Sequence, residues 1–286
     1  TIGIAIPAGI ILGLMLAFGL ERLDWGFRTT AQIESVLGLP VLSTVPEIEG
    51  LSKDRNEAAD YVIDKPMSSF TEAIRGLQLG LTLAHVDRQP KVVVITSSVP
   101  GEGKTTIAMS MARIAARSGL KTIVVDGDLR RPKVAKSFGA TTFENGLVEA
   151  LLGHVPLDQC LTKDAKSEVV VLPCLKTPPN PADMLGSHAM QQLVTNLSKA
   201  FDLILIDSAP LLPVNDTKIL SRMADAVLFV VRWERTPREA VVNALRSLAD
   251  VHAPVSGIAL ARADSERFRY YSYGYHNYYN YNRYYS

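Results

Sequence analysis

The 286-residue sequence is poor in cysteine and histidine and has almost no excess charge. Its two cysteines, Cys160 and Cys174, lack metal-ligand spacing, so we interpret them as packing residues of a protein from a reducing compartment. The five histidines show neither triad nor metal spacing. The net charge of +1 argues against a nucleic-acid partner, because such surfaces carry a strong basic excess.

Tyrosine is also nearly absent until the end of the chain, where it becomes abundant. Tyr61 is the only tyrosine before residue 270. The final stretch ERFRYYSYGYHNYYNYNRYYS has no aliphatic residue and no period of 2 or 3.6, so it predicts a flexible tail over residues 263–286. The tail hydroxyls, which we expect to be accessible, belong to Tyr270, Tyr271, Tyr273, Tyr275, Tyr278, Tyr279, Tyr281, Tyr284 and Tyr285.

The chain begins with an uncharged stretch, TIGIAIPAGIILGLMLAFGL. At about 1.5 Å per residue, a helix of this length crosses the hydrocarbon core of a bilayer. A buried helix or a signal peptide are the alternatives, but no basic region precedes the stretch and Glu21 follows it directly. We therefore predict a transmembrane helix at 1–24. Arg22 and Arg28 place the following residues in the cytoplasm, and the chain is expected to be a piece of a longer protein.

The rest of the sequence alternates between apolar runs and amphipathic segments. Residues 25–68 are interpreted as a juxtamembrane segment and linker with a short helix and a short strand. Residues 69–262 form the predicted main domain, which begins with a helix at Ser69. Continuous apolar strands separated by helices predict an α/β fold, a doubly wound and mainly parallel sheet with helices on both faces. Predicted strands cover 91–97, 121–126, 169–174, 202–207, 226–232 and 255–261.

A phosphate-binding loop follows the first of these strands. The stretch SSVPGEGKTT is a variant of the P-loop pattern, in which Ser98 replaces the first glycine. Its glycines allow backbone N–H groups to face phosphate oxygens at a helix N-terminus. Lys104 is expected to reach the β- and γ-phosphates. The predicted nucleotide-binding residues are Pro100, Gly101, Glu102, Gly103, Lys104, Thr105 and Thr106.

Three aspartates follow apolar strands at the same predicted sheet edge. Asp126 and Asp128 end the second strand, and Asp207 ends the fourth. Any one of them could be a helix cap, but three beside a P-loop predict a site for a magnesium-bound nucleotide. Thr105, Asp126 and Asp207 are the candidate metal ligands.

These motifs together resemble the bacterial tyrosine autokinases. The resemblance depends on PGEGKT, on Asp126, Asp128 and Arg130 in the second strand, on Asp207 and Pro210, and on the terminal tyrosines. The apolar opening is similar to the family's second membrane helix. PPNPADML is similar to the family's loop before the Walker B strand, which here is the strand that ends in Asp207. Glu72 and Arg75 match part of a family motif for subunit contacts, but Gln78 stands where its second arginine is expected.

The resemblance implies a tyrosine kinase that uses ATP and Mg²⁺ and phosphorylates its own terminal tyrosines between subunits. It also implies a homo-oligomeric ring, an octamer in the family, held in the bacterial inner membrane with its kinase domain and tail in the cytoplasm. Further implied partners are membrane lipid, a cognate tyrosine phosphatase and the polysaccharide polymerase and export machinery, through which the kinase regulates chain length of capsule or exopolysaccharide.

The sequence contains no HRD, DFG or APE motif of the eukaryotic kinases. The hypothesis is therefore that Lys104 neutralises the transferring phosphoryl group, Asp207 and Thr105 organise Mg²⁺, and Asp126 or Asp128 accepts the phenol proton. Two alternatives remain. One is a positioning ATPase of the MinD/ParA type, although Val99 stands where its signature lysine belongs. The other is a catalytically idle co-polymerase scaffold.

Overall fold

The computed structural model describes residues 25–48, 50, 55–85, 88–138 and 143–273. The predicted transmembrane helix at 1–24 and the tyrosines from Tyr275 onward lie outside these residues. Within the described ranges no helix has the length and apolar character needed to cross a bilayer.

Eight strands form one sheet in the order β1-β8-β7-β2-β6-β3-β5-β4. All neighbouring pairs are parallel except β4 and β5. The predicted doubly wound, mainly parallel α/β sheet is confirmed. The strands are β1 (Val41–Pro46), β2 (Val92–Ser97), β3 (Thr122–Asp126), β4 (Thr162–Lys163), β5 (Val170–Leu172), β6 (Leu203–Asp207), β7 (Ala226–Arg232) and β8 (Val255–Ala263).

Helices cover both faces of the sheet, because alternate strand residues point to opposite sides. In β2, Val93 and Ile95 join one hydrophobic core and Val92 and Val94 the other. The helices are α1 (Thr30–Leu37), α2 (Arg55–Asp64), α3 (Ser69–Ala84), α4 (Lys104–Arg117), α5 (Val134–Ser137), α6 (Leu147–Leu151), α7 (Pro181–Leu185), α8 (His188–Ala200), α9 (Asp216–Ser221), α10 (Arg238–Ala249) and α11 (Ser265–Tyr273).

Residues 25–48 pack against the main domain, although the sequence assigns them to a connecting segment. Strand β1 extends the sheet by pairing with β8, and the side chains of Phe27 and Ile33 are fully buried. The backbone N–H of Glu234 donates to the carbonyl of Phe27 at 3.0 Å. This segment therefore supplies an edge strand and part of one hydrophobic core.

The beginning of the tail also differs from the prediction of a flexible segment from residue 263. Residues 265–273 form α11, and Phe268 and Tyr271 contact Trp233 on the loop after β7. Two aromatic rings three residues apart lie on one helix face, so they replace the aliphatic residues that the tail lacks.

Candidate nucleotide and magnesium site

The P-loop lies between β2 and α4 and ends in the first turn of the helix. Gly101 and Gly103 have φ values of 88° and 105°, which residues with a Cβ rarely adopt. Gly103 is the N-cap of α4, and no side chain caps the helix there. The first N–H groups of the helix therefore face the loop, which is the arrangement that binds phosphate.

Lys104 and Thr105 open α4 next to the end of β6. The side chain of Lys104 is buried, and its charge partly offsets the effect of burial on the pKa of Asp207. The Thr105 hydroxyl donates to Oδ2 of Asp207 at 2.6 Å. Burial is the largest effect on Asp207 and raises the pKa of its carboxyl to about 6. This hydrogen bond joins the start of α4 to the end of β6.

Asp126 lies beside Asp207 because β3 and β6 pair in register at these two residues. Its Oδ2 accepts hydrogen bonds from the N–H groups of Lys133 and Val134, both at 3.0 Å. Within the described chain, Oδ1 of Asp126 and Oδ1 of Asp207 are buried with no hydrogen-bond partner. Burial, and then the charge of Asp207, raises the pKa of Asp126 well above its ordinary value.

Asp128 is the more accessible of the two aspartates after β3. Its residue is 7% exposed, whereas Asp126 is 0% exposed. One oxygen of Asp128 accepts from the N–H of Arg131 at 3.0 Å. Arg130 is not directed at this pair, because it forms a bidentate ion pair with Asp216 at 2.7 and 3.1 Å.

The donor set fits Mg²⁺. Among the residues that the structure describes, no three His, Cys, Asp or Glu side chains form a metal-binding cluster. Protein sites for Mg²⁺ bound to a nucleotide use one or two carboxylates, and phosphate and water complete the shell. The unpartnered oxygens of Asp126 and Asp207, with the Thr105 hydroxyl beside them, supply such a set.

Glu102 has a role that the P-loop pattern does not reveal. Its carboxylate is buried and accepts from the N–H of Val99 at 2.8 Å, from the N–H of Arg232 at 3.1 Å and from the Thr236 hydroxyl. The side chain therefore points into the protein. Pro100 is exposed, and Thr106 is half-buried in the first turn of α4.

Two further groups of predicted residues belong to α3 and to the C-terminal end of the chain. Glu72 and Arg75 form an ion pair with each other along the exposed side of α3. Tyr270, Tyr271 and Tyr273 belong to α11, while the six later tyrosines lie outside the described residues.

Comparison with protein families and known proteins identifies relatives of this chain. The family model of the AAA domain matches residues 90–255. Tyrosine-protein kinase YwqD of Bacillus subtilis is 35% identical over 195 residues, covering 68% of this chain and 81% of YwqD. The succinoglycan biosynthesis transport protein ExoP of Rhizobium meliloti is 30% identical over 95% of this chain. The chain spans only 38% of the length of ExoP.

Several solved structures are also similar to this chain. The kinase domain of the Escherichia coli tyrosine kinase ETK has a TM-score of 0.76 and 27% identity, covering 85% of this chain and 98% of that domain. The septum site-determining protein MinD of Pyrococcus horikoshii, at 21% identity over 59% of this chain and 69% of MinD, has a TM-score of 0.51 and is similar in fold alone. The chain belongs to the bacterial tyrosine-protein kinases and carries their kinase domain.

Proposed function

We propose that this protein transfers the γ-phosphoryl group of ATP to the tyrosines of its own C-terminal tail, with Mg²⁺ as cofactor. The main support is the hydrogen bond between Thr105 and Asp207 beside Lys104. In addition, Asp207 and Asp126 each have a buried oxygen with no hydrogen-bond partner among the described residues. Two carboxylates buried side by side are favoured in their charged forms when a cation lies between them, and the N–H groups of the adjacent P-loop are suited to bind phosphate.

Each group in the site has a separate task in this proposal. Bound Mg²⁺ would neutralise charge that develops on the transferred phosphoryl group. Thr105, Asp207 and Asp126 would hold the ion. Lys104 and the N–H groups at the start of α4 bind the phosphate oxygens and hold them in line for transfer. Phosphoryl transfer requires mainly such positioning and charge stabilisation, so few further groups are needed.

The acceptor tyrosine must also lose a proton from a phenol whose ordinary pKa is about 10. Asp128 is the better candidate for this proton because it retains some exposure, whereas Asp126 has one oxygen capped by two N–H groups. We assign Asp126 to the metal and Asp128 to the phenol. Asp128→Asn should then abolish phosphotransfer and leave Mg-nucleotide binding intact, while Asp126→Asn should weaken both.

The tail is long enough to serve a neighbouring subunit. Residues 274–286 follow α11 and extend at most about 45 Å when fully stretched. Transfer between subunits of a homo-oligomeric ring, an octamer by resemblance to the family, is therefore sterically reasonable. Each phosphotyrosine adds about −1.5 to −2 charge. Several of them would reverse the charge of residues 263–286, which contain three arginines, and would release the tail from its neighbour.

The names of the relatives support a wider role. ExoP is named as a transport protein of succinoglycan biosynthesis. We place this chain at the bacterial inner membrane, anchored by residues 1–24, with its kinase domain and tail in the cytoplasm. There it would regulate polymerisation, chain length and export of an exopolysaccharide or capsule, in contact with lipid, the polymerase and export machinery, and a cognate tyrosine phosphatase.

A phosphotyrosine blot with ATP and Mg²⁺ tests the activity directly. Wild-type protein should become labelled and Lys104→Met should not. Transfer between subunits is tested by mixing Lys104→Met, with its tail intact, with an active chain whose nine tail tyrosines are phenylalanine. Label on the Lys104→Met chain supports transfer between subunits. An unlabelled mixture, with wild-type protein labelled alone, contradicts it, and no label in any sample contradicts the kinase function itself.

A further inference from the structure

The loop that follows β7 is joined to the P-loop by one buried carboxylate. Glu102, on the P-loop, accepts from the N–H of Arg232 and the hydroxyl of Thr236 on one side and from the N–H of Val99 on the other. Both Glu102 and Thr236 are almost completely buried. A carboxylate that lost these donors would remain desolvated without partners, so the P-loop and residues 232–236 are held in one joint arrangement.

The other side of the same loop binds α11. Phe268 and Tyr271 pack against the ring of Trp233, with centroid distances of 6.5 and 6.4 Å. Arg267 lies 5.3 Å above that ring and forms an ion pair with Glu234 at 2.7 Å. The helix at the base of the tail is therefore fixed to a loop that also contacts the P-loop.

The N-terminal segment completes the same cluster. The guanidinium of Arg28 lies 5.1 Å from the centroid of the Tyr271 ring, and Nε of Arg28 is 3.2 Å from Oε1 of Glu234. The indole N–H of Trp233 donates to the carbonyl of Arg28 at 3.0 Å. We call this set the Trp233 cluster: Arg28, Trp233, Glu234, Arg267, Phe268 and Tyr271.

Two adjacent tyrosines of α11 have different environments. Tyr270 is 61% exposed, whereas Tyr271 is half-buried between Trp233 and Arg28. Phosphotransfer requires the phenol oxygen to lie in line with the γ-phosphate, so Tyr271 must leave Trp233 before it can be modified. A phosphate on Tyr271 would then repel Glu234 and compete with it for Arg28 and Arg267.

We propose that Tyr271 anchors the tail helix to the Trp233 cluster, is modified later than the neighbouring Tyr270, and on release weakens nucleotide binding at the P-loop through Glu102. The order of modification rests on the proposed kinase function, whereas the link between the tail helix and the nucleotide does not. The segment that binds Trp233 is therefore α11 of the same chain.

A time course of phosphorylation on the full chain tests the order. Cleavage after Arg269 and Arg283 releases residues 270–283 as one peptide, and fragmentation on both sides of Tyr271 distinguishes phosphate on Tyr270, on Tyr271 and on the later tyrosines. Wild-type protein should show phosphate on Tyr270 before Tyr271. Phe268→Ala, which removes a docking contact outside the catalytic site, should remove this delay. Equal occupancy of the two tyrosines from the first time point in wild-type protein would overturn the order.

Titration with a fluorescent ADP analogue and Mg²⁺ tests the link to the P-loop without any phosphotransfer. Tyr271→Ala should weaken nucleotide binding roughly fivefold, at the lower end of couplings between linked sites. Tyr271→Phe, which keeps the ring, should bind as wild-type protein does. Tyr270→Ala, which removes a ring contact with Tyr271 (5.7 Å between centroids) but leaves Tyr271 itself in place, should weaken binding less than Tyr271→Ala does. Equal affinity in all four proteins would overturn the link. If no tyrosine is ever phosphorylated, the kinase function fails, and this titration still decides whether the tail helix acts on the P-loop.

Discussion

Helix α4 contributes to two groups of charged side chains that differ in whether their carboxylate oxygens have hydrogen-bond partners. Near its start, the strand-end cluster of Lys104, Thr105, Asp126 and Asp207 leaves two buried carboxylate oxygens without a partner among the described residues. Near its end lies the Arg113 cluster, in which every charged group has a hydrogen-bond partner. Its members are Arg113, Asp60, Asp164, Lys166 and Ser167. Arg113 donates to both oxygens of Asp164 at 2.9 and 3.1 Å.

The Arg113 cluster also has a balanced charge. Asp60 receives hydrogen bonds from Arg113 and Lys166, and Ser167 donates to Asp164 at 2.6 Å. Burial raises the pKa of Asp60, but these two partners outweigh burial and lower it overall. In the strand-end cluster the balance is reversed, and burial keeps the pKa of Asp126 and Asp207 raised. A complete cluster stabilises the fold, whereas an incomplete one is suited to a ligand that brings positive charge.

The largest effect is expected from breaking the complete cluster. Arg113→Met leaves the buried carboxylate of Asp164 without its cation and leaves half-buried Asp60 with Lys166 alone, and the loss of one partner from a buried pair costs about 3–5 kcal/mol. Urea unfolding followed by the fluorescence of buried Trp233 should show a correspondingly lower free energy of unfolding. Arg117→Met, one turn further along α4, is the control. Arg117 is exposed and donates one hydrogen bond to the carbonyl of Val62 at 3.2 Å, so its loss should lower the free energy of unfolding by only about 1 kcal/mol. Equal stability of the two variants would contradict the comparison.

A smaller effect is expected from titrating the incomplete cluster. The folded pKa of Asp207, about 6, is raised above the unfolded value, so its neutral form favours folding. Its contribution is complete below the unfolded pKa and is lost as the pH rises through about 6. Compared with Asp207→Asn, the nucleotide-free wild type should therefore lose about 3 kcal/mol between roughly pH 4 and pH 8.

Urea unfolding of both proteins across this pH range measures the difference. Saturating Mg²⁺ and ADP provide the control, because a cation beside the carboxylate favours its charged form and should reduce the pH-dependent loss. A difference that does not change with pH would show that Asp207 is not destabilised by its burial.

The difference between the clusters also explains what the sequence could predict. Asp126 and Asp207 each end a continuous apolar run, and parallel strands bring such ends to one edge of the sheet. The local pattern therefore predicts that the two carboxylates lie close together. Asp60 and Asp164 lie in segments with no such pattern, and they meet Arg113 only through tertiary packing. The spacing in GEGKT likewise predicts a phosphate loop but not that Glu102 turns inward to Arg232 and Thr236.

Aromatic and edge elements were missed for a related reason. The absence of aliphatic residues predicts a flexible tail, yet Phe268 and Tyr271 pack against Trp233 from a distant loop. Strand β1 was expected as a short strand, but nothing in it specifies pairing with β8 at the sheet edge. Such pairings depend on residues more than 30 positions apart and are invisible to a local period.

The smallest effect, and the one with the opposite sign, is expected from Asp126→Asn. The amide oxygen can still accept from the N–H groups of Lys133 and Val134, and the amide nitrogen can donate to the unpartnered oxygen of Asp207. Because burial and the charge of Asp207 disfavour a second negative charge at this position, the neutral amide should raise the free energy of unfolding of the nucleotide-free protein at neutral pH, by less than the change expected for Asp207. The same substitution in the complete cluster, Asp164→Asn, places an amide nitrogen against the donors of Arg113 and should lower it. Urea unfolding of the two variants beside wild-type protein decides the matter, because a change of the same sign in both would mean that the two clusters do not differ in electrostatic completeness.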